Sequence, residues 1–444
     1  MTEATLLDLD DGRAIDPAVV GAKAAMLARA RRAGLAVLDG FVVPASVSLD
    51  TLAVGSRALE QANSGFARAQ ITGSSLEPVL VDEVTAAAAK LGDRLVVRSS
   101  APVEADGPWA GAFASYAELS PDEVELGIRG VWASVFAPDP LERAEATGVD
   151  PAAAGMGVLI QPEIKPDFGG VATVNPAGGV TVVAIAGPPA AIVSGWEKGH
   201  VIVVDERGSG PEAALAAIGT ERVAAVADLA RTVAARIDAH HIEWAEASGR
   251  LWLLQAQPPP RRPARRLAPT LPPERDDAGS ELDAGPAELV QRVRDEVERR
   301  GATGRSGITK WEPALYELVS SRGTRAEGTP AAPGWGAGQL RLVRDAGDAE
   351  QVEARQIIAA VYPLTNLAPL LWNAAGLITI GGSPGAHLFE VAAWLGLPAV
   401  CGADLAASTG MSLEELRNSS SLVGAVDGDT GEVSILDSGD HGAG

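Results

Sequence analysis

Apolar residues in this chain either crowd into short runs or recur at three- and four-residue intervals over longer ones. RLVVRSS (94–100), GVLIQPEI (157–164), GVTVVAIAG (179–187), HVIVVDE (200–206) and RLWLLQAQ (250–257) are rich in Val, Ile and Leu and short, so they predict strands. GAKAAMLARARRA (21–33) and AALAAIGTERVAAVADLARTVAARI (213–237) carry helical spacing and predict helical stretches. Further on, PAELVQRVRDEVERR (286–300) predicts a single exposed, highly charged helix. Short strands at QLRLV and GLITI predict a compact region from about 328 to the end. The mixture predicts a multidomain α/β and α+β protein.

The pattern lapses from Pro258 to Pro286, where PPPRRPARRLAPTLPPERDDAGSELDAGP combines ladder-breaking prolines with clustered charge and little periodicity. This stretch reads as a linker and a candidate hinge. The expected organisation is a first domain of two subdomains over 1–257, a linker and helical connector over 258–327, and a small domain over 328–444.

Length and composition support more than one core. A chain of 444 residues exceeds one ordinary core, and 46% hydrophobic residues suffice to fill two or three. A net charge of -22 argues against partners held by a broad basic face, so neither nucleic acid nor an anionic membrane is expected. Cys401 is the single cysteine, which excludes an internal disulfide. The opening MTEATLLDLDDGR lacks the basic-then-apolar order of a secretory signal, and no uncharged apolar run reaches the roughly 18 to 20 residues that span a bilayer. These features predict a cytoplasmic protein.

The stretch GGSPGAHLFEVAAWLGLPAVCG (381–402) contains one histidine, His387. Leu388, Val391, Ala392 and Leu395 form the apolar stripe of a helix, and Gly396 with Pro398 marks its end, so His387 is predicted at a helix start. Two readings follow. The imidazole either caps or packs, or it acts as a nucleophile whose attached phosphoryl group would be held by helix N–H groups and approached closely by the glycine-rich backbone. His200, His240 and His441 are assigned to surface or loop positions.

The order of motifs bears on that choice. GTPAAPGWGAGQLRLV (328–343), LTNLAPLLWNAAGLITIGG (364–382) and the His387 segment closely resemble the mobile phosphohistidine domain of PEP-utilising enzymes, a family that includes PEP synthase, pyruvate phosphate dikinase and rifampin phosphotransferase. The amino-terminal half is similar to the same enzymes' ATP-grasp-like nucleotide-binding domain. GAKAAMLARARRAGLAVLDGFVVP (21–44), LVVRSSAPVEADGPWAGAFASY (95–116), FGGVATVNP and HHIEWAEASGRLWLLQAQP occur in the family's order.

The resemblance implies an ATP-dependent phosphotransferase of the dikinase type, in which ATP phosphorylates His387 with its β-phosphate and a swivelling domain carries the group to an acceptor. It implies nucleotide contacts from Lys23, Arg98, Glu104, Gln161 and Gln255. Read by themselves, Lys23 is either solvated or beside phosphates, and Arg98, ending an apolar strand, needs either a salt bridge or a phosphate. Glu243 is either an edge-strand acid or a ligand for Mg²⁺ shared with the nucleotide. His241 stands where the family has an aspartate, which admits Mn²⁺ beside Mg²⁺.

Other departures are Gln257 for an arginine, and Ala22, Ala190, Ala386 and Ala393 at further motif positions. The family's pyruvate-binding barrel has no counterpart in this sequence, so the acceptor is expected to be a small molecule bound near 287–328 or at a site that a partner protein supplies. One alternative is retained: a relative of altered catalytic capacity that serves as a nucleotide- or partner-binding scaffold or regulator, or that performs another reaction.

Overall fold

A computed structural model describes residues 6–105, 109–175, 178–204, 212–259, 285–300 and 309–438. The α/β expectation holds, and all five predicted strands of the amino-terminal half form. Backbone contacts group the chain into two units, Met1–Ala191 with Gly199–Pro259, and Ile192–Lys198 with Pro260–Gly444.

The first unit contains two five-stranded sheets. One has the order Leu7–Asp8, Phe41–Val43, Gly157–Pro162, Leu95–Ser100, Ser115–Leu119 and is antiparallel throughout. Leu95 and Val97 point into a core with Val158 and Ile160, where helices Leu49–Gln61, Ser64–Thr72, Pro78–Leu91 and Val124–Ser134 contribute Leu52, Ile71, Val84 and Trp132. Strand alternation therefore turns Val96 and Arg98 to the opposite face.

The second sheet, also antiparallel, has the order Arg250–Gln257, His241–Ala247, Phe168–Val174, Val180–Ala186, His200–Val204. Ala172, Val182, Ile242, Trp244 and Ala256 face the helices Ala22–Arg32 and Thr220–Ile237 in a shared core. The register pairs Glu243 with Val171 and Gln255, and His241 with Thr173 and Gln257. Period-two alternation thus collects these polar side chains on the face away from the helices.

The predicted helical character of 213–237 holds. The 213–237 stretch is two helices, Glu212–Ile218 and Thr220–Ile237, because Gly219 adopts φ +97°, a left-handed conformation that breaks the helical run.

The second unit is built on an eight-stranded sheet. Its order is Thr324–Glu327, Glu432–Asp437, Leu422–Asp427, Trp335–Val343, Ile357–Ala360, Gly376–Thr379, Ala399–Cys401, Thr329–Ala332. The four strands from Trp335–Val343 to Ala399–Cys401 are parallel, and the helix His387–Leu395 connects the last two of them.

Helix Pro286–Arg300 is less exposed than expected: Leu289 and Val293, one turn apart, are buried with Leu315 and Val319 of helix Glu312–Arg322 against Ala337, Val423 and Ala425 of the sheet. Glu312 and Arg355 form a bidentate ion pair at 2.6 and 2.5 Å with the carboxylate side chain fully buried. Segment Ile192–Lys198 groups with this unit, and the Trp196 and Tyr362 rings lie 5.9 Å apart. Most of the predicted hinge lies outside the described residues, as does His441. Among the described residues no helix is long and apolar enough to cross a membrane.

Candidate functional site

A close backbone approach assembles the first cluster. Gly21, at φ +79°, has no room for a side chain, since a Cβ would lie 1.7 Å from the Ser100 carbonyl oxygen. This contact lets the Ala22 amide donate to Ala101 O at 3.1 Å and the Ala24 amide to Ser100 Oγ at 3.0 Å. The start of helix Ala22–Arg32 is thereby pinned against the end of strand Leu95–Ser100. Lys23 Nζ then donates to Ser99 Oγ at 3.3 Å and pairs with Glu104, whose other oxygen accepts from the Ala101 amide at 2.8 Å.

The second cluster begins one residue earlier on the same strand. Arg98 reaches from the first sheet to the second, where Nη1 donates to Leu254 O at 2.8 Å and Nη2 to Gln255 Oε1 at 3.1 Å. Leu254 falls at an irregularity in the strand register, between Leu253 and Gln255. Nη2 also lies 3.7 Å from Glu243 Oε2, so a part-buried guanidinium meets a buried carboxylate. The sequence left a salt bridge or a phosphate open for Arg98, and the protein without ligand supplies the salt bridge.

His241 lies two residues before Glu243 on the same face, with Nδ1 2.8 Å from Thr173 Oγ1. Gln161 pairs with Val96 in the register, which places it on the Arg98 face, and its buried amide donates to Leu38 O at 3.1 Å. Arg98, Gln255 and Glu243 therefore converge, Lys23 and Glu104 form an adjoining pair, and Gln161 bonds elsewhere.

Among the described residues no group of three or more His, Cys, Asp and Glu side chains is arranged to hold a metal ion. Glu243 and His241 do share one face, offering a hard oxygen and a nitrogen. Two donors alone would leave an ion to take its remaining ligands from nucleotide oxygens and water.

In the second unit, His387 is the first residue of helix His387–Leu395, which ends at Gly396 as expected. Ala386 stands at the N-cap and gives the first turn no side-chain hydrogen bond. The preceding turn is fixed by Thr379 Oγ1 donating to Gly381 O at 2.9 Å and by the Gly381 amide donating to Val361 O at 2.8 Å. Burial pushes the nearby Cys401 thiol up to about 11, so it remains protonated and a poor nucleophile at neutral pH. His387 Nδ1 lies 3.1 Å from Glu390 Oε1 one turn on. Glu390 escaped the sequence reading, although its three-residue spacing from a helical histidine was a usable signal.

Comparison with known proteins places these clusters in context. Residues 17–235 match the pyruvate phosphate dikinase AMP/ATP-binding domain, and this span contains Lys23, Arg98, Glu104 and Gln161. The chain is 23% identical to a probable phosphoenolpyruvate synthase of Methanothermobacter thermautotrophicus, over 94% of this chain and 61% of that protein. It is 24% identical to the phosphoenolpyruvate synthase of Aeropyrum pernix, over 94% of this chain and 56% of that protein. It is 28% identical to the prodigiosin synthesizing transferase PigC of Serratia marcescens, over 58% of this chain and 33% of that protein. The chain therefore spans less than two thirds of the length of each of these relatives. The domain match, together with alignments that run through nearly the whole chain, shows that this protein belongs to the PEP-utilising enzyme family.

Proposed function

We propose that the protein is an ATP-dependent phosphotransferase of the dikinase type that passes the β-phosphoryl group of ATP through His387 to an acceptor. The observation that carries this reading is the placement of an imidazole at the first position of a helix, where backbone N–H groups and the helix dipole favour an attached anion. Transfer through a covalent intermediate divides one difficult displacement into two easier ones.

In the first unit, Arg98, Lys23 and Gln255 would bind the nucleotide, with Glu104 orienting the Lys23 ammonium and Gln161 bracing the same sheet face. Glu243, with His241 beside it, would hold Mg²⁺, or Mn²⁺ in its place. The ion would offset phosphate charge. The acceptor is a small molecule or is presented by a partner protein.

The test is incubation of the protein with ATP labelled at the β-phosphate. Acid-labile label on the protein is expected, and its absence with both Mg²⁺ and Mn²⁺ would overturn the reading. The alternative, a scaffold that binds nucleotide without turning it over, is favoured by His241 and Gln257 facing each other where the family carries an aspartate and an arginine. Nucleotide binding without any label would select it.

A second expectation concerns Arg98. Arg98→Met removes charged hydrogen bonds worth about 1.5–3 kcal/mol, so ATP affinity should fall about 10- to 150-fold. Calorimetric titration measures the loss, and a melting curve reports whether the carboxylate left beside it disturbs folding. Arg98→Lys keeps the charge without the planar fork and should fall between the two.

A further inference from the structure

We infer that Glu390 is the positioning residue that fixes the ring tautomer of His387 and so selects Nε2 as the atom that takes the phosphoryl group. The inference rests on the phosphotransfer reading and adds to it a residue and an atom. Four observations carry it. Glu390 Oε1 and His387 Nδ1 lie 3.1 Å apart, within hydrogen-bond range. The two side chains retain only 18% and 15% of their exposure, so water competes weakly for the contact. Both occupy the first turn of one nine-residue helix, which fixes the spacing, and that helix is anchored by the buried Leu388, Phe389, Val391 and Ala392. Finally, an ionised carboxylate can only accept hydrogen bonds, so the contact requires the proton on Nδ1.

An imidazole protonated on Nδ1 presents its lone pair at Nε2, on the side of the ring away from Glu390. In the transfer, that lone pair forms the N–P bond to the β-phosphorus while the P–O bond to AMP breaks with its electron pair, and the attached pyrophosphoryl group then gives up its γ-phosphoryl group to water or phosphate, leaving the β-phosphoryl group on the ring. The ring becomes cationic, the proton remains on Nδ1, and the Glu390 carboxylate offsets the new charge. A free imidazole in water favours the other tautomer, with the proton on Nε2, where attack at that nitrogen is blocked.

The tautomer can be read without any turnover. Long-range ¹H–¹⁵N spectra of the full chain labelled at its five histidines, with His387 assigned by its loss in His387→Ala, are expected to show the Nδ1–H form. In Glu390→Leu the signal should move to mainly Nε2–H, and the rate of label uptake from ATP should fall about a hundredfold or more. Glu390→Gln keeps an oxygen that can accept from Nδ1–H and should retain the tautomer with a smaller loss of rate. Unchanged spectra from the other four histidines would show that the variants are folded. An Nε2–H tautomer in the wild type, or an unmoved tautomer in Glu390→Leu, would overturn the inference even where label is taken up. The expected tautomers in a protein that takes up no label would support the positioning role and overturn only the phosphotransfer reading.

Discussion

A chain carrying His387→Ala is expected to take up no acid-labile phosphate from β-labelled ATP where the wild type does, and to melt almost where the wild type does. The loss should be total because the cysteine and hydroxyl side chains are poorly fitted to replace the imidazole. Cys401 is buried, with its thiol held protonated, and a serine or threonine hydroxyl would need an adjacent base. The fold should tolerate the change, because His387 is the first residue of its helix and alanine is a good helix former there. The side-chain bond to Glu390 that it loses is worth about 1 kcal/mol. Scintillation counting after acid and neutral washes, beside a melting curve, separates chemistry from stability. Undiminished acid-labile label in the variant would move the phosphoryl group to another residue.

The largest stability effect is expected at Glu312. Its fully buried carboxylate holds Arg355 in two parallel bonds, and Arg355 Nη1 donates to Ala374 O at 3.1 Å. Arg355 also sits at φ +62°, a left-handed conformation that a long side chain adopts only when its surroundings hold it there. Glu312→Gln leaves a buried guanidinium without its counter-charge, which should cost about 3–5 kcal/mol. For a unit of this size the melting midpoint should fall on the order of 10 °C. The double replacement Glu312→Leu with Arg355→Met should recover most of that loss, because a well-packed apolar pair carries no desolvation penalty. Calorimetric melting of the full chain checks both. A double variant no more stable than Glu312→Gln would mean that losing the Arg355 bond to Ala374 costs as much as the missing charge does.

Local pattern revealed much of the fold because the strands of the first unit are apolar enough on both faces to stand out from their neighbours. The run 157–162, with Val158, Leu159 and Ile160 all buried, is the clearest case. Gly219 was harder to read, since one glycine costs a helix only about 1 kcal/mol and the flanking alanines carry the periodicity across it. Helix Pro286–Arg300 misled in the other direction. Its charges dominate the composition while Leu289 and Val293 supply a narrow buried stripe.

In the candidate site, adjacency depended on distance along the chain. Lys23 and Glu104 are 81 residues apart, and Glu312 and Arg355 are 43 apart, so no local periodicity joins either pair. The family's motif order could nominate Lys23, Arg98, Glu104 and Glu243 separately. Only folding shows that each cation is already matched by one of the acids.

That matching has a consequence for the energetics of binding. With Lys23 against Glu104 and Arg98 against Glu243, the charges of these two pairs cancel before any ligand arrives. Capturing a triphosphate there, as proposed, would be an exchange in which the phosphates replace carboxylates and the displaced acids need new counter-charges. In the proposed phosphotransferase a divalent ion at Glu243 would supply one, and nucleotide and ion would then raise each other's affinity by the same factor, as linkage requires. A site whose own charges are already paired would favour the nucleotide together with its metal ion over a bare anion.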